Sequence, residues 1–141
     1  MKTNDKFSCG VDIGTVNLCL CFVNNDKFIA YRGSSKDIQR YDSEGNVNQI
    51  KLCDKNDEFE NIINLIGIIP EFKNTYRVRV EKQVAGFKKF IGGKMLTLSN
   101  NPDILRYEMC VYTAIACKYP FIDTKFYEPK ERIANLEKIF S

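Results

Sequence analysis

Residues 7–23, FSCGVDIGTVNLCLCFV, form an apolar, β-branched run broken only at Gly14-Thr15, and this reads as a strand, a tight bend and a second stretch of strand. Asn24-Asn25-Asp26 marks the next turn, and Lys27-Phe28-Ile29-Ala30-Tyr31-Arg32 returns as the partner strand of a hairpin. Links this short join antiparallel strands, since a parallel crossover needs a dozen residues or more. The chain must therefore open as an antiparallel sheet, and its later elements have to pack on that sheet.

Turn-forming and polar residues dominate from Gly33 to Gly45, where no element is expected, and Val47 to Cys53 alternates as a further, half-exposed strand. Asp57 to Ile69 carries apolar residues at 59, 62, 63, 65, 66 and 69, a helical spacing with Asn56 or Asp57 as its start and Pro70 past its end. Tyr76-Arg77-Val78-Arg79-Val80-Glu81 alternates as a strand ending in an acid. Residues 84–102 hold Gly92-Gly93 and no sustained period, so a mobile functional loop is expected there. Asp103 to Tyr119 reads as a helix with Asn101 or Asp103 as cap and Pro120 as stop, Phe121 to Tyr127 as a strand, and Pro129 to Phe140 as a short charged helix. With the bent run 7–23 counted once, the order is three antiparallel strands, helix, strand, helix, strand, helix. Such an order predicts an α/β mixed sheet with parallel crossovers, in which functional groups collect where parallel strands end.

At 141 residues the chain is read as one domain, 1–141, and 44% hydrophobic with 28% charged residues is an ordinary globular composition. No apolar run approaches the roughly 18 residues of a membrane span, and Met1 to Ser8 is too polar for a secretory signal, so an intracellular setting without a membrane partner is expected. Six cysteines (Cys9, Cys19, Cys21, Cys53, Cys110 and Cys117) are then read as buried free thiols rather than disulfides. Histidine is absent, which removes Ser-His-Asp and Cys-His catalysis and disfavours structural zinc. Chemistry must fall to carboxylates, lysine, tyrosine, cysteine or a metal.

Net charge is only +3, but Arg77, Arg79, Lys82, Lys88, Lys89 and Lys94 crowd one stretch, interleaved with Tyr76, Phe87 and Phe90. Cations with aromatics between them suit a surface that tracks phosphates; an ordinary solvated face is the alternative. Asp12 near the middle of the first strand and Glu81 at the end of a later one would lie a few ångströms apart if those strands are neighbours. Two carboxylates so placed repel unless a cation or proton sits between them, and a divalent metal resolves the conflict.

Cys9-Gly10-Val11-Asp12-Ile13-Gly14-Thr15-Val16-Asn17-Leu18 resembles the first-strand motif of the RuvC-like Holliday junction resolvases of the ribonuclease H-like superfamily, particularly their poxviral and related large-virus members. Val80-Glu81-Lys82-Gln83 resembles their second motif, and weaker similarity runs through Arg106-Tyr107-Glu108 to Tyr127-Glu128-Pro129-Lys130. Actin-like ATPases and sugar kinases share the first motif, but their folds need well over twice this length. The pairing of the two motifs at this separation is what points to the resolvases.

The resemblance implies a ribonuclease H-like fold and a homodimeric endonuclease without a small-molecule substrate. Such an enzyme cuts four-way DNA junctions symmetrically with magnesium or manganese, in recombination, repair or the processing of viral concatemers. A viral source would place it in the host cytoplasm or the virion. On this likeness Asp12 bridges metals, Glu81 holds one of them, Lys130 assists at the phosphate, and Lys82, Gln83, Lys88, Lys89 and Lys94 contact DNA.

One departure stands out. The family ends in a helix bearing Asp-Asp-x-x-Asp, and the sequence reaches Ser141 without one; its last predicted helix offers Glu131 and Glu137, six positions apart, with Glu128 just before. Truncation is the leading expectation. Substitution by Glu128 or Glu131 is a second, and a domain that binds junctions or assembles without cutting them is a third. A different class, a small phosphotransferase or nucleotide-binding domain using Gly14-Thr15, would be protected from heat by nucleotide and indifferent to DNA.

Overall fold

A computed structural model describes residues 5–14, 17–82, 86–99 and 102–128, with the backbone alone at 86–88, 98 and 99. Five strands open the chain: β1 (Phe7–Ile13), β2 (Leu18–Val23), β3 (Phe28–Gly33), β4 (Asp37–Asp42) and β5 (Val47–Lys51). Each is antiparallel to the next. The turns are built by local side chains. Asn24 Oδ1 accepts the backbone N–H groups of Asp26 and Lys27, both at 2.9 Å, and Asp42 Oδ1 accepts those of Glu44 and Asn46 at 3.0 and 3.1 Å. At the β3–β4 corner a β-carbon on Gly33 would run into the Asp37 carbonyl, so only glycine fits there.

Helix α1 (Glu58–Ile68) starts where Asp57 Oδ1 accepts the Glu60 N–H at 2.8 Å. Pro70 lies just past the end of α1, as expected, and begins a 3-10 helix, Pro70–Asn74, that leads into β6 (Thr75–Glu81). β6 lies parallel to β1, and after helix α2 (Pro102–Lys118) strand β9 (Asp123–Tyr127) lies parallel to β6. The resulting seven-stranded sheet has the order β5-β4-β3-β2-β1-β6-β9. Antiparallel strands thus give way to parallel ones beyond β1, the mixed α/β sheet that the sequence predicts, with five antiparallel strands in place of three.

One face of this sheet carries the core. Val11, Leu20, Phe22, Tyr31, Ile38, Val78 and Val80 pack against Leu65 and Ile66 of α1, Phe72 of the 3-10 helix, and Val111 and Ile115 of α2. Both described helices lie on that face, as two right-handed crossovers running in the same direction require.

Three expectations need correction. Strand β4 fills the stretch that was to have no element: Ile38 alone of its six residues is fully buried, so the sequence shows no alternation to read. The loop expected over 84–102 contains a second sheet, the hairpin of β7 (Gly86–Ile91) and β8 (Lys94–Ser99), turned by Gly92 and Gly93 at φ 59° and 79°. Positive φ at both central residues is what a two-residue hairpin turn demands. The six cysteines are free, but only Cys9 is fully buried, while Cys53 and Cys117 are exposed. The expected helix 129–140 falls outside the described residues.

Candidate metal centre and nucleic-acid interface

Alternation in β1 buries Val11 and Ile13 and turns Asp12 to the opposite face of the sheet, away from the helices. In β6 Val78 and Val80 are buried, so Glu81 shares the outward side, where it is half-buried. The parallel register sets Val11 opposite Val80; one step on, Asp12 and Glu81 occupy adjoining positions. Neighbouring strands stand about 4.8 Å apart and side chains in register point the same way, so the two residues project side by side from the outer face.

The rest of that row is set by the neighbouring registers. Cys19 of β2 stands opposite Asp12, Arg32 of β3 opposite Cys19, and Tyr127 of β9 opposite Glu81. Burial pushes the Cys19 thiol up, Cys21 adds to this, Arg32 opposes it and Asp12 contributes a smaller increase, the electrostatic signature of groups that share one patch. A second row runs Cys21, Gly10, Arg79, Lys125, and a third runs Val23, Ser8, Arg77, Asp123. Arg79 is committed to structure: it donates to the Asp123 carboxylate at 2.9 Å and to the carbonyls of Val78 and Asp123 at 3.0 and 2.8 Å. The Asp123 carboxyl is held below its ordinary range by that hydrogen bond.

An adjoining pair, one carboxylate exposed and one half-buried, suits a hydrated divalent ion that keeps several waters. Among the described residues no group of three or more aspartate, glutamate, cysteine or histidine side chains is arranged to hold a metal. Glu128, the first residue after β9, is half-buried, one position beyond the partner of Glu81. Glu131, Lys130 and Gln83 lie outside the described residues, as does the side chain of Lys88.

Lys82 comes directly after Glu81, is exposed, and donates its backbone N–H to the Tyr127 carbonyl at 2.8 Å, which fixes it at the edge of the carboxylate pair. Lys89 and Lys94 are exposed on the β7–β8 hairpin, along with Phe90, which is 67% accessible, and its cross-strand partner Met95, which is 61% accessible. The basic stretch of the sequence is thus divided between the outer sheet face and a separate hairpin. Cys19 and Arg32 escaped the sequence reading because their proximity to Asp12 is set by strand register, which no local motif announces.

No protein-family model matches the chain, and no curated protein does. Among solved structures, RuvC of Thermus thermophilus is similar at 16% identity with a TM-score of 0.43, over 87% of this chain and 64% of that one. The T. thermophilus RuvC complex with a Holliday junction substrate gives 12% identity and a TM-score of 0.45, over 89% and 66%. A Bacteroides thetaiotaomicron protein with an actin-like ATPase fold and unknown function gives 10% and 0.36, over 98% and 58%. The chain spans less than two thirds of each of these structures.

Proposed function

We propose that this chain is a domain of a metal-dependent, structure-specific DNA endonuclease that acts as a homodimer on four-way junctions. The observation that carries the reading is the adjoining placement of Asp12 and Glu81 on the open face, where β1 and β6 run parallel. These two residues would hold magnesium or manganese. When bound, the ion supplies positive charge against the scissile phosphate and makes water acidic enough to attack it. Asp12 and Glu81 orient the site, while Lys82 at its edge and Lys89 and Lys94 on the hairpin draw in the phosphate backbone. Gln83, Lys88 and Lys130 complete the DNA-contacting set in this reading. Phe90 and Met95 offer apolar surface to unstacked bases at a branch point.

The test compares wild type with Asp12→Asn and Glu81→Gln. Millimolar magnesium or manganese should raise the wild-type melting temperature, because a ligand bound only by the folded state adds stability. Both variants should lose that rise, together with any cleavage of a labelled mobile junction, and keep junction binding in EDTA. An unchanged metal shift in Asp12→Asn removes it from the site. Junction binding by the wild type with no nicks at any metal concentration establishes the non-cleaving alternative instead.

A further inference from the structure

The outer face of the sheet holds a depression of about 750 Å³ at the opposite end of β1 from Asp12, lined by Lys6, Ser8, Gly10, Cys21, Tyr76 and Arg77 among others. No acidic residue lines it among the described residues. Its shape has a specific cause. Between β1 and β6 the register jumps from Phe7–Thr75 to Ser8–Arg77, so Tyr76 is an extra, bulged residue. Such a bulge re-aims side chains, and here Tyr76 and Arg77, consecutive in sequence, are both exposed.

Arg77 is poised rather than committed. Its Nε donates to Ser8 Oγ at 2.9 Å and its guanidinium lies 5.8 Å from the centre of the Tyr76 ring, while its terminal nitrogens make no hydrogen bond or ion pair with the described residues. That leaves the half of the fork that pairs with phosphate available. Gly10 forms part of the floor, and nothing lies within 4 Å of where its β-carbon would be. A glycine in a strand interior weakens the strand and is found where another molecule approaches the backbone closely.

We propose that this depression is a second DNA subsite, in which Arg77 and Lys6 hold a backbone phosphate and Tyr76 stacks a base of a strand that runs on to the Asp12–Glu81 pair. Ser8 and Asp12 are four residues apart on one strand, about 13 Å, which sets the reach between the two sites. The occupant is identified by charge and shape together: two cations and no acidic lining residue for the phosphate, an exposed phenol ring for a base, and a missing side chain for close approach. This inference rests on the junction-binding reading and adds the path of the strand across the sheet.

The experiment is fluorescence anisotropy of a labelled four-way junction in EDTA across a salt series, so that the metal pair plays no part. Arg77→Gln and Lys6→Gln should each flatten the log affinity against log salt slope by about 0.9, the loss of one phosphate contact, whereas Arg77→Lys should preserve it. Tyr76→Ala should weaken binding about tenfold with little change of slope, and Tyr76→Phe should restore it. Gly10→Val has room for its side chain and suits a strand, so it should melt no lower than wild type yet bind several-fold more weakly. Lys6 precedes β1 and is exposed, so its variant reports on the groove even if Arg77→Gln perturbs the bulge. Wild-type affinity and slope in all of these, with loss of affinity in Lys89→Ala/Lys94→Ala, would remove the groove from the DNA path and leave the junction reading intact. Failure of the wild type itself to bind at low salt would overturn both.

Discussion

Glu71 and Glu81 stand ten positions apart and serve different ends. Glu71 is 7% exposed; it accepts the Tyr31 hydroxyl at 2.7 Å and the Arg40 guanidinium at 3.0 Å, joining the 3-10 helix to β3 and β4 beneath the sheet. Removing one partner of a buried pair strands the others, so Glu71→Ala should cost about 3–5 kcal/mol in urea unfolding and Tyr31→Phe about 1 kcal/mol. The same region sets the alkaline limit of the fold. Burial, then the hydrogen bond to Glu71, pushes the Tyr31 hydroxyl above its ordinary 10.0, and burial, then Cys21 and Cys19, pushes the Cys9 thiol well above 9.0. Over that range the unfolded chain gives up protons that the folded chain keeps. Their contribution is therefore full below pH 9.0 and is lost as pH rises through the folded values. Urea unfolding measured from about pH 8 to 11 should show stability falling with pH, and Tyr31→Phe should shallow the decline above about pH 10. Asp12 and Glu81 were legible in the sequence because each ends or interrupts an apolar run within a motif. Glu71 was not, because Pro70-Glu71-Phe72 looks like any helix terminus and Arg40 lies 31 residues away.

At the scale of elements, strongly patterned segments were readable and weakly patterned ones were not. β1, β2, β3, β6 and both described helices announce themselves by period and by caps such as Asp57. β4 does not, since five of its six positions are polar or aromatic and its place depends on hydrogen bonding to β3 and on Arg40 reaching Glu71. The β7–β8 hairpin was hidden for another reason: Phe90, Ile91, Met95 and Leu96 are exposed, so its apolar residues track no buried face. A lone two-stranded hairpin is marginal in water. Its amides should accordingly exchange with deuterium faster than those of β1, β2 and β6, and a bound four-way junction should slow them by at least tenfold. Equal protection with and without junction would detach the hairpin from DNA binding.

Across the whole molecule, the meander of five strands and the two parallel strands meet at β1, and the Asp12–Glu81 pair sits on that seam. The sequence showed which residues were acidic and which segments were strands, but not that β6 would choose β1 as its neighbour, since that choice is made by the helices crossing the inner face. The seam also fixes when the two carboxylates come together. β1 through β5 pair by short local turns, whereas Asp12 meets Glu81 only after a separation of 69 residues has been closed. Contacts between distant positions form late, and synthesis delivers the N-terminal part first. A nascent chain on the ribosome therefore holds a nearly finished meander with half a site. It gains its second carboxylate only once α1, the 3-10 helix and β6 have emerged and β6 has docked beside β1, so that the pair forms with the closing of this seam, ahead of α2 and β9.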